Sequence, residues 1–121
     1  MAFVSGQLPF KDGKLLCVGA VPGVVTAEAA AEGARQCAIN ALAVLREACG
    51  GDLDRVTQIV RLGVFVLSAD GFDGQPKVAN GASELMAAVF GEAGRHARAA
   101  VGANALPLNA TVEVELLAEV R

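Results

Sequence analysis

The chain contains no tryptophan, no tyrosine and only one histidine, and it has neither a basic run nor a long apolar run. Without aromatic stacking platforms or a basic stripe that follows phosphates, nucleic-acid binding is disfavoured, and the net charge of −3 points the same way. No apolar segment approaches the ~20 residues that a membrane-spanning helix needs. We therefore expect no nucleic-acid partner and no membrane partner.

The residues that bind metals and organic cofactors are also scarce. His96 and the scattered carboxylates do not have the ligand spacing of a zinc site. The glycines form neither a P-loop nor a dinucleotide-binding motif. We expect no metal and no organic cofactor.

The three cysteines are Cys17, Cys37 and Cys49, an odd number without a Cys-x-x-Cys pair. Cys37 and Cys49 are twelve residues apart in one predicted helix, roughly 18 Å along its axis, which is beyond disulfide reach. Reduced, buried thiols and a cytoplasmic location are expected, since the N-terminus also lacks the pattern of a signal peptide. A cysteine–histidine nucleophile pair stays open as an alternative, because neighbouring strands could bring Cys17 close to His96.

Apolar side chains are abundant, at 54% of the residues against 19% charged. A chain of 121 residues is long enough for one domain with its own core, and no linker or repeat divides it. We predict a single domain, residues 1–121. Small alanines account for part of the apolar excess, but we favour the interpretation that some of it lies in a subunit interface.

Residue periodicity predicts an α+β domain with the order β-β-α-β-α-β-β and two helices on one face of a sheet. The apolar character of both faces of the third strand indicates that another subunit covers the second face. The predicted elements are strands at Phe3–Ser5 and Leu15–Gly19, a helix from an N-cap at Thr26 to Cys49, a strand at Gln58–Ser68, a loop at 69–81, a second helix ended by Gly91 and Gly94, and strands at about Ala97–Ala103 and Thr111–Val120.

Three ordered motifs resemble one known family: "SGQLP" at Ser5–Pro9, "ANGASELMAAVFGEAGRHARAAVG" at Ala79–Gly102 and "LPLNATVEVE" at Leu106–Glu115. The chain is similar over nearly its whole length to the RidA/YjgF family of reactive-intermediate deaminases, formerly labelled endoribonuclease L-PSP, and most of all to its bacterial YjgF-like branch. This resemblance implies a chorismate-mutase-like fold. It also implies a homotrimer with a cleft at each interface between subunits.

The resemblance assigns the catalytic roles to Arg98 and Glu113. Arg98 matches the arginine that holds the substrate carboxylate, a task that suits a planar guanidinium with parallel donors. Glu113 matches the glutamate thought to position or activate water. A salt bridge between Arg98 and Glu113 or Glu115, on what we expect to be a neighbouring strand, is the structural alternative, while Glu115 is expected to be a solvated surface residue.

Further substrate-binding positions implied by the resemblance are Ser5, Gly6, Asn80 and Ala100. Ser5 and Gly6 match the segment that lines the cleft, although Ser-Gly-Gln alone is more often a turn. Asn80 matches an asparagine ahead of the second helix, or is simply a loop or cap residue. At Ala100 the best-known members have a cysteine, so only backbone groups are available there.

The function implied is hydrolysis of reactive 2-imino or enamine acids, such as 2-aminoacrylate or 2-iminobutyrate, to 2-oxo acids and ammonia. Such a 2-iminobutanoate/2-iminopropanoate deaminase would need no cofactor. A non-catalytic trimer that binds 2-oxo acids is the alternative, and the absence of tyrosine and of a cysteine at Ala100 favours it slightly. A ribonuclease, the family's older label, is disfavoured by the acidic charge balance.

Overall fold

The computed structural model describes all residues, 1–121. It contains six β-strands and two α-helices. Their bounds are β1 Ala2–Gln7, β2 Phe10–Lys11, β3 Lys14–Leu15, α1 Ala27–Ala48, β4 Val56–Leu67, α2 Gln75–Phe90, β5 Ala97–Ala103 and β6 Val112–Val120, with short 3-10 helices at Leu53–Arg55, Gly91–Gly94 and Pro107–Asn109. Neither α-helix combines the length and the apolar character that crossing a membrane requires.

Four strands form one mixed sheet in the order β1-β6-β4-β5. β4 is parallel to β5 and antiparallel to β6, and β1 is antiparallel to β6. Leu62 of β4 and Leu116 of β6 are paired and fully buried in the same core cluster as both helices. The α+β architecture with two helices on one sheet face is therefore confirmed.

The opposite face of the sheet has no covering layer within the chain. The side chain of Phe3 is 66% exposed on this face, which we call the open face, and Phe65 is partly exposed there. Because side chains alternate along a strand, the residues next to the buried ones point to the open face. The domain thus keeps an apolar surface that it does not bury by itself.

The first helix begins and ends as its sequence predicts. Thr26 is the N-cap, and its hydroxyl accepts a hydrogen bond from the Ala29 amide at 3.1 Å, which satisfies one of the free donors of the first turn. After Cys49 the chain continues through Gly50 and Gly51, whose φ angles of +67° and +95° favour glycine. Both caps follow directly from local sequence.

The second helix begins earlier than predicted, at Gln75 rather than after the loop at 69–81. Pro76 at the helix start is compatible with this position, because its missing N–H would have no partner there anyway. Gly81 lies inside the helix because α1 passes so close that a Cβ would overlap the carbonyl oxygen of Ala31. The glycine that reads as a loop signal is in fact a helix–helix contact, and Asn80 is a helical residue.

The predicted strand at Leu15–Gly19 is wrong. Only Lys14–Leu15 is a strand, and it pairs with Phe10–Lys11 in a separate two-stranded hairpin. The turn residues Asp12 and Gly13 have φ angles of +53° and +78°, the conformation that Asp-Gly favours in tight hairpins. The order of strands and helices along the chain is accordingly β-β-β-α-β-α-β-β.

The central strand β4 also departs from strict alternation. Its pairing with β6 shifts between Ile59 and Arg61, so that Ile59 is fully buried together with Leu62 while Val60 is only partly buried. Strict alternation along the sequence predicts that Val60 shares a face with Leu62, and that Ile59 lies on the other face. This prediction is wrong. The irregularity, one extra residue in the strand, exchanges the two faces at this point.

All three cysteines are free and buried, as predicted. Burial raises the pKa of the Cys17 thiol and, more strongly, that of the Cys37 thiol, to which the nearby Cys17 also contributes. Neither thiol is therefore an activated nucleophile.

Candidate functional site

Arg98 is the second residue of β5, the edge strand next to α2. It is paired with the buried Leu62 and so belongs to the helix-covered side of the sheet, but its side chain is exposed at the edge. Its Nη1 donates to Oδ1 of Asn80 at 2.8 Å and to Oγ of Ser83 at 3.2 Å. Arg98 and Asn80, predicted separately, are thus brought together.

Ser83 in turn contacts the only histidine. Its Oγ is 2.9 Å from Nε2 of His96, whose Nδ1 is 2.6 Å from the carbonyl oxygen of Gly94. We call Arg98, Asn80, Ser83 and His96 the arginine cluster. Sequence reasoning missed Ser83, although its position three residues after Asn80 would have placed both on one face of a helix, had the helix been predicted to begin at Gln75.

The guanidinium of Arg98 carries a charge that the chain does not neutralise. The three ion pairs of the structure involve Arg61, Lys77 and Arg95, but not Arg98. Its partners Asn80 and Ser83 are neutral, and they occupy Nη1 only. The Nε and Nη2 donors stay available for an anion.

The structural alternative for Arg98, a salt bridge to Glu113 or Glu115, is wrong. Both glutamates are on β6, which is separated from β5 by β4. Glu115 is paired with Gly63 and forms an ion pair with Arg61 at 3.1 Å, so it is not simply a solvated residue. Gly63 leaves the room for this pair, because a Cβ there would lie 2.8 Å from Cγ of Glu115.

Glu113 lies on the open face, opposite Phe65, and its carboxyl group is close to Gly6 of β1. A Cβ on Gly6 would overlap its Oε2 and would lie 2.7 Å from its Cδ. The pairing of β1 with β6 is irregular between Val4 and Gln7, and this bulge contains Ser5 and Gly6. We call Ser5, Gly6 and Glu113 the glutamate cluster, three positions that the resemblance assigns to the cleft and that the structure places near one another.

The carboxyl group of Glu113 is electrostatically unusual. Its partial burial raises its pKa above the ordinary value of 4.5, and the neighbouring carboxylate of Glu115 raises it further. A carboxyl group that holds its proton more tightly than usual can exchange protons with a reacting molecule.

A single chain does not unite the two clusters. The arginine cluster is at the β5 edge on the helix-covered side, whereas the glutamate cluster is on the open face towards β1. Ala100 is two residues after Arg98 on the same side of β5 and packs, half-buried, against the core. It lies beside the arginine cluster and offers no polar side-chain atom.

Two other candidates are not assembled into sites. His96 is bonded to Ser83 and Gly94 rather than to Cys17, so the cysteine–histidine pair is not formed. No three His, Cys, Asp or Glu side chains are grouped so that they could hold a metal ion.

One surface cavity, of about 610 Å³, lies between the outer sides of α1 and α2. Asn80 is the only member of the arginine cluster that lines it, and Glu113 is absent from it. The cavity is therefore not where the two clusters could act together.

A family model described as "YjgF/chorismate mutase-like, putative endoribonuclease" matches residues 1–120. Protein TCP17 of Trypanosoma cruzi is 47% identical over 117 residues, which cover 96% of this chain and 72% of the relative. The crystal structure of the Agrobacterium tumefaciens protein Atu1372, of unknown function, is 45% identical with a TM-score of 0.97 and covers 98% of this chain and 75% of that one. Escherichia coli TdcF, solved with bound serine, is 20% identical with a TM-score of 0.63, over 98% of this chain and 79% of that one, which shows a shared fold alone.

Proposed function

The chain belongs to the YjgF/chorismate-mutase-like family, and from this premise we propose that it hydrolyses short 2-imino and enamine acids to 2-oxo acids and ammonia. The reaction takes place in a cleft between two copies of the chain. Arg98 of one copy holds the substrate carboxylate, and Glu113 of the other positions and activates the attacking water.

The observation that carries this proposal is the positive charge of Arg98, which no group of the chain neutralises. Its guanidinium is fixed at the edge of the sheet by neutral groups and has no carboxylate partner in the chain. Charge-assisted, parallel hydrogen bonds from a guanidinium to a carboxylate are among the strongest polar contacts in proteins. A small anionic substrate supplies the missing partner.

The location of the two clusters supports a site shared between copies. Arg98 is at the free edge of β5, and Glu113 is on the uncovered face near β1. The exposed Phe3 and the partly exposed Phe65 give that face the apolar character of a subunit interface. We propose a cyclic homotrimer, in which each open face meets the β5 edge of the next copy.

The chemistry requires proton transfers at each step and no cofactor. An enamine first takes a proton at its β-carbon and gives up one from its nitrogen to become the imine. Water then adds to the imine carbon, losing one proton while the nitrogen gains one. In the resulting carbinolamine the hydroxyl proton moves to the nitrogen as the carbon–nitrogen bond breaks, so that ammonia leaves and the carbonyl of the 2-oxo acid forms. With its raised pKa, the carboxyl group of Glu113 can accept the proton of the water and return it to the leaving nitrogen.

Ser5 and Gly6 line the Glu113 side of this cleft, and Asn80 supports the Arg98 side. At Ala100 the substrate meets only backbone groups and a methyl side chain. A second candidate function, non-catalytic binding of 2-oxo acids, uses the same arginine. The non-polar side chain of Ala100 favours it, because one group that could assist proton transfer is absent beside Arg98.

The experiment combines a threonine dehydratase, threonine and a competing amine, and follows the release of 2-oxobutyrate with and without the protein. Acceleration by the wild type that falls about 100-fold or more in Arg98→Ala is the expected result, since two charge-assisted hydrogen bonds are lost. Arg95→Ala is the matched control, because Arg95 is exposed and pairs only with the surface residue Glu92. It should retain full activity.

Two outcomes separate the candidates. If the wild type does not accelerate the reaction but binds 2-oxobutyrate through Arg98, the protein is a binding module. If Arg98→Ala changes neither activity nor binding, the proposal is wrong. Native mass measurement tests the assembly independently, and a stable monomer contradicts the shared cleft.

A further inference from the structure

Arg98 is the first member of a continuous chain of hydrogen bonds. Its Nη1 is 3.2 Å from Oγ of Ser83, this oxygen is 2.9 Å from Nε2 of His96, and Nδ1 of His96 is 2.6 Å from the carbonyl oxygen of Gly94. The chain connects β5, α2 and the 3-10 helix that follows α2.

With a neutral His96 ring, the direction of every hydrogen bond in this chain follows from its ends. A backbone carbonyl only accepts, so Nδ1 of His96 must carry the proton. In the neutral ring Nε2 then has a lone pair, to which the hydroxyl of Ser83 donates. The lone pairs of this hydroxyl are thereby left for Arg98, whose guanidinium only donates.

The consequence is a fixed guanidinium. Nη1 carries two hydrogens, and Asn80 and Ser83 accept both. Nε and Nη2 are free, and the N–H of Nε and one N–H of Nη2 point in parallel from the same edge of the planar guanidinium, which is the arrangement that a carboxylate needs. Holding an arginine in one rotamer before binding avoids an entropy cost that would otherwise weaken the complex.

We propose that Ser83 and His96 are positioning residues, which hold Arg98 ready to bind the carboxylate of a small organic acid through Nε and Nη2. This role rests on the proposed function, since it concerns the group that binds the substrate. His96 acts through Ser83, as the acceptor that turns the hydroxyl towards Arg98. Neither residue touches the reacting atoms, so their loss weakens binding rather than the chemical step.

The first test needs no substrate. His96 is the only histidine of the chain, so the ¹⁵N NMR spectrum of its ring is unambiguous in the histidine-labelled full-length protein. The expected result is the tautomer with the proton on Nδ1 and an unprotonated Nε2. The opposite tautomer, with the proton on Nε2, overturns the proposal.

The second test separates positioning from catalysis. Ser83→Ala should raise KM in the imine assay about 10-fold, the value of one hydrogen bond to a charged group, and change kcat less than about twofold. Ser83→Thr restores the hydroxyl and should return KM to within about threefold of the wild type. Glu84→Ala, at the next and exposed position of α2, is the control and should change neither constant.

A parallel pair of variants tests the histidine. His96→Gln keeps an acceptor for the Ser83 hydroxyl and should raise KM less than His96→Leu, which removes it. The melting temperature of each variant shows whether it is folded, and Ser83→Thr and His96→Gln keep the comparison possible if a truncated variant is not.

The outcomes distinguish this inference from the proposed function. If Arg98→Ala abolishes activity but Ser83→Ala leaves KM unchanged, the inference is wrong and the proposed function stands. If the wild type binds 2-oxobutyrate without hydrolysing imines, the same 10-fold change is expected in Kd, and its presence supports the inference although the deaminase function has failed. Absence of both hydrolysis and 2-oxobutyrate binding overturns both.

Discussion

Replacing Gly6 with alanine should impair catalysis strongly while leaving the fold nearly intact. The new Cβ would overlap Oε2 of Glu113 and would lie 2.7 Å from its Cδ and 3.0 Å from its Cγ. Carbon atoms pack comfortably at about 3.5 Å, so the carboxyl group has to move by about 1 Å. The atoms that must move are the flexible end of one side chain rather than backbone.

The magnitudes follow from this geometry. A mild overpacking cost of about 1 kcal/mol is offset by the roughly 0.5–1 kcal/mol that alanine gains over glycine in a strand. The melting temperature of Gly6→Ala should therefore stay within about 4 °C of the wild type. Displacement of a catalytic group by about 1 Å costs on the order of 100-fold in rate, equivalent to about 2.7 kcal/mol. The effect should fall on kcat, because Gly6 is not in contact with the arginine cluster.

A double-mutant cycle with Glu113→Ala in the 2-oxobutyrate assay checks the reasoning. If the new methyl group acts only by displacing the carboxyl group, Gly6→Ala adds nothing once that group has been removed. Equal losses in the wild-type and Glu113→Ala backgrounds would show that Gly6 acts by another route. An unchanged kcat in Gly6→Ala would refute the assigned role of Glu113.

Two further predictions concern stability. Gly81→Ala should lower the free energy of unfolding by about 2 kcal/mol, or the melting temperature by about 8 °C, because the Cβ would overlap the carbonyl oxygen of Ala31 and lie 2.8 Å from its carbonyl carbon. The control is Ala88→Gly at an exposed position of the same helix, which should lose only about 1 kcal/mol through helix propensity. A Gly81→Ala variant as stable as the wild type contradicts the close contact. The raised pKa of Glu113 means that the folded state binds its proton more tightly than the unfolded chain, so this residue's contribution to stability is present at low pH and is lost as the pH rises through the folded pKa, above 4.5. Glu113→Gln should consequently be more stable than the wild type at pH 7 and lose this advantage near pH 4, which thermal melts at the two pH values would measure. If the advantage is the same at both pH values, neither burial nor Glu115 disfavours the negative charge of Glu113.

Local sequence rules were sufficient for most secondary structure, and they failed where one residue type serves two purposes. Glycine usually marks a loop, and local sequence rules place Gly81 in one, but here it permits two helices to touch. For the same reason local rules place Asn80 before the second helix, either as a substrate-binding residue or as a loop or cap residue, although it is a helical residue that accepts a hydrogen bond from Arg98. The extra residue in β4 could not be predicted either, because a bulge leaves no signature in the alternation of Val60 and its neighbours.

The candidate site divides in a similar way. Motif resemblance proposes Arg98 and Glu113 as site residues, and proximity in the chain groups Ser5 with Gly6. The strand order was what the sequence could not supply, and with it the fact that β4 separates the arginine from both glutamates. The salt bridge to Glu113 or Glu115, which the sequence leaves open as the alternative to carboxylate binding, is therefore not formed, and Asn80 and Ser83 of α2 accept hydrogen bonds from Arg98.

By itself the sequence determined the fold class, the two helices on one sheet face and the identity of the polar groups, because periodicity, caps and residue chemistry are properties of short segments. Only the tertiary structure decided which of these groups meet. It placed Ser83 and His96 behind Arg98, and it separated Arg98 from Glu113 by a strand and a sheet face. Such contacts depend on strand order and on how closely two helices approach, which are set by the packing of the whole chain rather than by any local pattern.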